Sequence, residues 1–287
     1  MSTLLKVALT VTEEQADEAE GFISTKISQG WEESTTEAGH RMTLYLEDHS
    51  LGRQVAQEFQ TQFPEATVAC SEEESQNWVD TWKEFFTPVV CGDTFKIFPP
   101  WLSEKEQNGV THIVIEPKMA FGTGHHPTTS LCLGTIGTLA KKKMIHPGQT
   151  FLDLGTGSGI LSIGLAKAGL TGLGLDYDPL AIPCAIENLE NNDVADAVEM
   201  AVGTLDCLDE KRQFDLIVAN ILSGPLIDMA PNILPHIAPG GTLILSGILA
   251  EKQSDAVSEV YDRRGIGLPT RFVDGEWVCL VWKNITR

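Results

Sequence analysis

The chain of 287 residues is 42% hydrophobic and 7% aromatic with no low-complexity tract or internal repeat, so it reads as an ordinary globular sequence, one large domain or a full domain with a smaller companion. Its net charge is −20, and residues 1–80 hold sixteen Asp and Glu against four Lys and Arg; a field of that sign repels nucleic-acid phosphates and favours a basic partner, unless it merely solubilises the surface. The longest apolar runs fall short of the roughly 18 residues of a spanning helix, Lys6 interrupts the apolar start, and the six cysteines form no C-x-x-C pair, so the expectation is a cytoplasmic protein with no membrane association, no DNA binding and no zinc or disulfide framework.

In chain order, residues 6–11 alternate like a strand, and Thr12 with the acids that follow it opens a helix. A strand near Trp31 is possible. Residues 41–47 alternate again, residues 51–63 form an amphipathic helix stopped by Pro64, and 66–70 are a further short strand. The order suggests a small βαββαβ sandwich over residues 1–76, with room for a binding face and no catalytic constellation. Residues 77–110 read as a linker, with Trp78, Trp82, Phe85 and Phe86 at helical spacing followed by Pro88, Pro99, Pro100 and Trp101. Those aromatics are expected to pack the joint rather than to stack on a ligand.

From residue 111 to 287 the pattern becomes short apolar strands alternating with longer helical segments. Strands are expected over 149–154, 171–175, 198–202, 215–219 and 241–246, and helices over 160–168, 179–191 and 224–237. Near-continuous apolar strands separated by helices indicate a parallel sheet covered on both faces, whose ligand sits beyond the carboxyl ends of the strands.

Two glycine-containing stretches bear on that ligand. The first, residues 119–129 (MAFGTGHHPTT), is open to three readings: phosphate cradle, two-histidine metal site, or mobile flap. The second, Asp153-Leu-Gly-Thr-Gly-Ser-Gly159, lies between a strand and a helix. No Lys follows its glycines as a phosphate loop requires, and the third glycine comes one place early for a dinucleotide loop. Asp153 beside the loop would repel a pyrophosphate and suits a ligand bearing an ammonium group. The pattern is better matched to S-adenosyl-L-methionine, with Gly155 and Gly157 allowing close backbone approach. Asp176, at the end of the next strand, can accept both ribose hydroxyls in either cofactor class. Asp178 reads as a helix cap. Asn220 ends the fourth strand and shares the edge with Gly155 and Asp176.

Together these motifs resemble the class I S-adenosylmethionine-dependent methyltransferases, and more narrowly the bacterial methyltransferases of large-subunit ribosomal protein eleven. The narrower likeness rests on AFGTGHHPTT ahead of LDLGTGSGIL, then GLDYDPLAI with ENLENN, DLIVANILSGPL, NWVDTWKEFF and KIFPPW, covering roughly residues 77–260. Residues 1–76 match in arrangement, a ferredoxin-like substrate module. The resemblance implies a mostly parallel, seven-stranded Rossmann-like sheet, a pocket completed by Thr129, Gly155, Asp176 and Asn220, and methylation of lysine ε-amines and the N-terminal α-amine of a basic ribosomal protein; a monomer is expected. His125 departs from the family's usual Thr, and its role stays open. A lysine methyltransferase of the same fold with a non-ribosomal substrate is the nearest rival, and an NAD-binding oxidoreductase the distant one. The missing Lys-Ser/Thr removes the phosphate cradle. Adjacent histidines on an extended loop diverge, so no metal is expected. The first stretch then reads as a cofactor gate, with Gly122 and Gly124 letting it bend, Phe121 covering the donor, and a helix from about Pro127 presenting Thr128 and Thr129. His126 is expected to cap or pack at least as readily as to touch substrate.

Overall fold

A computed structural model describes residues 3–27, 31–36, 39–46, 48–74, 87–102, 109–116 and 126–286. The aromatic stretch 77–86 and the gate residues Phe121, Gly122 and His125 lie outside the described residues. The chain divides into two compact units, Met1–Phe86 and Thr87–Arg287.

In the first unit, β1 (Thr3–Val11), β2 (Glu32–Thr36), β3 (Gly39–Leu46) and β4 (Thr67–Glu74) form an antiparallel sheet in the order β2-β3-β1-β4. Helices Ala16–Lys26 and His49–Gln62 complete the expected βαββαβ order. Period-two alternation buries Leu5, Val7 and Leu9 of β1 and Met42, Leu44 and Leu46 of β3, and Ile23, Val55 and Phe59 of the helices join them in one core. Gly52 sets the spacing, because a Cβ there would lie 2.7 Å from Leu5 Cδ2. The second helix starts two residues before its expected position because Asp48 caps it, accepting from the Ser50 and Leu51 amides at 2.9 and 3.1 Å.

The second unit opens with a small sheet of β5 (Val89–Cys91), β6 (Phe95–Phe98) and β7 (Thr111–Val114). The segment expected as a 77–110 linker therefore contributes two strands to this unit. The seven-stranded sheet follows, made from β8 (Thr150–Leu154), β9 (Thr171–Asp176), β10 (Val198–Val202), β11 (Phe214–Asn220), β12 (Ile237–Leu249), β13 (Thr270–Asp274) and β14 (Trp277–Ile285). Its order is β10-β9-β8-β11-β12-β14-β13, parallel as far as β12, with β14 antiparallel to both β12 and β13. Successive residues of β11 enter opposite cores. Leu216 and Val218 join Phe151, Ile163 and Ile244 on one face, and Ile217 and Ala219 join Leu152, Leu226, Tyr261 and Trp282 on the other. This double burial is why the strands are apolar throughout.

The segment expected as one helix over 224–237 is broken into Ser223–Asp228, Ala230–Ile233 and the 3₁₀ turn Leu234–His236. Pro231 and Pro235 lack the amide hydrogens that a continuous helix needs. The strand order reverses at β8 and β11, so their carboxyl ends open a crevice at the switch point.

Candidate functional site

At the end of β8 the chain turns sharply through Gly155, Gly157 and Gly159, with φ of 71°, 54° and 80°. Side chains strain this left-handed region. Gly155 is also hemmed in, because a Cβ there would sit 2.5 Å from Ile221 Cγ2. The loop hangs on the neighbouring strand: the Gly155 and Thr156 amides both donate to the Leu175 carbonyl, at 2.8 and 3.0 Å. Helix Ile160–Lys167 then begins, its N-terminus directed at the loop.

Asp153, the carboxylate expected to suit a ligand ammonium, is enclosed by its own loop and helix. It is 1% exposed, and its Oδ2 accepts from Thr156 Oγ1 at 2.8 Å, Ser162 Oγ at 2.7 Å and the Ser162 amide at 3.1 Å. The carboxylate ties the loop to the first turn of the helix behind it. Burial pushes its pKa up to about 6, the nearby Asp176 charge adding to the rise and the hydrogen bonds opposing it. Its Oδ1 has no partner among the described residues. Thr156 and Ser162, which sequence reasoning passed over, are what make this burial tolerable; their spacing after Asp153 was the available signal.

Asp176 lies 7% exposed at the end of β9. Its Oδ2 accepts from the Gly157 amide at 2.8 Å and its Oδ1 from the Asp178 amide at 3.0 Å. Each oxygen keeps a further lone pair, so the carboxylate can still accept two hydroxyls. Gly157 serves the crevice by fixing Asp176, since its own amide is already engaged. Asp178 behaves as a local cap, accepting from the Leu180 amide at 2.9 Å.

Across β8, Asn220 closes the other end of the crevice. Its Nδ2 donates to Thr129 Oγ1 at 3.3 Å, joining two positions 91 residues apart. Thr129 is 1% exposed in the first turn of helix Pro127–Lys141. The amide oxygen of Asn220 is buried and has no partner among the described residues. His126 caps this helix, its Nδ1 accepting from the Thr128 amide at 3.3 Å, and its ring meets the Trp277 ring edge-on at 4.9 Å. That is the capping and packing role anticipated for it.

The crevice therefore runs from Asp176, over the loop held by Asp153, to the Asn220–Thr129 pair. It offers a carboxylate for paired hydroxyls, a side-chain-free bed beside Gly155, and a buried acceptor in need of a donor. These features fit a nucleoside bearing an amino acid. A separate groove of about 320 Å³ lies at the opposite, amino edge of the sheet between Thr150, Thr171 and Arg212, and shares no residue with the crevice.

The family model described as ribosomal protein L11 methyltransferase (PrmA) matches residues 5–285. A ribosomal protein L11 methyltransferase from Chloroflexus aurantiacus is 38% identical over 233 residues, 73% of this chain and 69% of that protein. One from Myxococcus xanthus is 36% identical over 236 residues, covering 82% and 78%. Among solved structures, the ribosomal protein L11 methylase from Lactobacillus delbrueckii subsp. bulgaricus aligns with a TM-score of 0.60 at 28% identity, over 69% of this chain and 99% of that one.

Proposed function

We infer the chemistry of the crevice from a premise that the match over residues 5–285 establishes: the chain belongs to the ribosomal protein L11 methyltransferase family. It is an S-adenosylmethionine-dependent methyltransferase, and its protein substrate is the ribosomal protein for which the family is named. S-adenosylmethionine supplies a methyl group on a sulfonium that is already a good leaving group. The protein therefore has chiefly to position an unprotonated amine, which can account for much of the rate.

The observation that carries the reading is the Asn220 amide. Thr129 takes its Nδ2–H, and the Oδ1 is left buried without a partner among the described residues. A buried acceptor without a donor costs about 1–3 kcal/mol. An amine N–H of the substrate supplies the missing donor and so turns the nitrogen lone pair away from Oδ1. An amide oxygen is not a base at these pH values. A lysine ε-amine, ordinarily near 10.4, must lose its proton through desolvation on entering the site. Asp176 would receive the two ribose hydroxyls. Asp153 holds the loop that shapes the bed between Asp176 and Asn220.

The acceptors in this reading are lysine ε-amines and the N-terminal α-amine of L11, methylated repeatedly. The acidic front unit favours encounter with such a basic substrate. The enzyme acts as a monomer in the cytoplasm and makes no direct contact with DNA. Among the described residues no helix is long and apolar enough to cross a membrane. Calorimetric titration tests the reading: S-adenosylmethionine should bind and NAD should not. Asn220→Ala should bind S-adenosylmethionine more weakly and lose turnover. Full activity in that variant removes Asn220 from the mechanism.

A further inference from the structure

The segment ENLENN takes no part in the chemistry above, yet two of its three asparagines are inside the protein. Asn188 is 0% exposed and Asn192 4%. Both lie on helix Ala181–Asn191 or at its C-terminal cap, four residues apart and hence on one face. Ala185, three residues before Asn188 on that face, lies against the cofactor loop; a Cβ on Gly159 would be 3.2 Å from Ala185 Cβ.

The Asn188 amide uses both ends. Its Nδ2 donates to the Ser158 carbonyl of the loop at 2.9 Å, and its Oδ1 accepts from the Glu116 amide, just after β7, at 2.9 Å. Asn192 stands one turn further on. Its Oδ1 accepts from the Val114 amide at 2.9 Å, and its Nδ2 donates to the Val114 carbonyl at 2.6 Å. It therefore pairs with β7 as a neighbouring strand would. It also donates to the Asn188 carbonyl at 2.7 Å, which registers the two asparagines to each other. Asn188 is the side chain of this pair that reaches the loop.

We propose that Asn188 is a positioning residue for the cofactor: it braces the Gly155–Gly159 loop at Ser158 against the end of β7 and so sets the loop's shape before S-adenosylmethionine arrives. The inference rests on the reading that this crevice takes S-adenosylmethionine. Without the Asn188 side chain, the buried Ser158 carbonyl and the half-buried Glu116 amide lose that partner, and the loop relaxes to satisfy them. Asn192 anchors only β7 and the helix, so it serves as the internal control.

The test compares the full-length wild type with Asn188→Ala and Asn192→Ala, reading the Kd for S-adenosylmethionine, the KM for each substrate, and the melting temperature. Both substitutions should lower the melting temperature. Asn188→Ala should weaken S-adenosylmethionine about tenfold in Kd and KM while leaving the KM for L11 within about twofold. Asn192→Ala should keep the wild-type Kd within about twofold. If Asn188→Ala does not fold, Asn188→Asp decides the matter. It keeps an acceptor for Glu116, sets a carboxylate oxygen against the Ser158 carbonyl in place of the donor, and should show a loss at least as large. Unchanged affinity in the Asn188 variant, or equal loss in the Asn192 variant, overturns the inference. A wild type that fails to bind S-adenosylmethionine overturns the functional reading instead.

Discussion

Replacing Asp153 by asparagine should change how stability depends on pH. The Asp153 carboxyl is 1% exposed, and burial raises its pKa from 3.8 to about 6. Because the folded value is the higher one, the interior prefers the neutral acid. The stabilisation from holding that proton is complete below pH 4 and is lost as pH rises through about 6. The whole difference corresponds to about 3 kcal/mol, and about half of it has returned by pH 5. The asparagine of the Asp153→Asn variant is neutral throughout and can still accept from Ser162. On moving from pH 7.5 to pH 5, the wild type should therefore gain about 1 kcal/mol relative to that variant, a comparison in which other titrating groups cancel. Urea unfolding of both proteins at the two pH values measures this directly. A gap that stays constant, or one that moves in favour of the variant on acidification, would show that the hydrogen bonds from Ser162 and Thr156 outweigh burial.

Three further outcomes follow from the geometry. Gly155→Ala places a Cβ 2.5 Å from Ile221 Cγ2 at a φ of 71°; it should weaken S-adenosylmethionine by about tenfold or more in calorimetry, with part of the loss recovered by adding Ile221→Ala. His126→Ala removes a helix cap and the edge contact with Trp277, so it should cost about 1 kcal/mol in thermal unfolding, while His126→Asn, which retains a capping oxygen, should recover most of it. If the acidic front unit draws in a basic substrate, raising the salt from 50 to about 300 mM should raise the KM for L11 about threefold or more while the Kd for S-adenosylmethionine changes little; parallel changes in both would remove the recruiting role.

The glycine loop and its flanking strands were legible because a sheet buried on both faces needs unbroken apolar runs, and the chain spells them out at β8, β9 and β11. Asp176 and Asn220 stood out because each interrupts such a run at its carboxyl end. Asp153 was read only as a charge beside the loop. Period two places it on the same face as Phe151, which lies in the core. Only Thr156 and Ser162, brought in by the turn, make a buried carboxylate tolerable there. The breaks at Pro231 and Pro235 were hidden by apolar spacing that continues at helical period across both prolines. The antiparallel β13–β14 pair carried an unused signal, Asp274-Gly275 between alternating segments, at which the structure turns with Gly275 at a φ of 56°. β5 and β6, at three and four residues, are too short to show a period. The Asn188–Asn192 brace depends on contacts 30, 72 and 78 residues away in sequence, which spacing along one helix does not reveal.

The central claim is transfer of a methyl group from S-adenosylmethionine to amines of one ribosomal protein. Its most direct test is incubation of the purified protein with methyl-labelled S-adenosylmethionine and a mixture of purified large-subunit ribosomal proteins. The label should accumulate on L11, at lysine side chains and the N-terminal amine, and should fall sharply with Asn220→Ala. Label on another protein with none on L11, or no transfer despite binding of S-adenosylmethionine, would contradict the account.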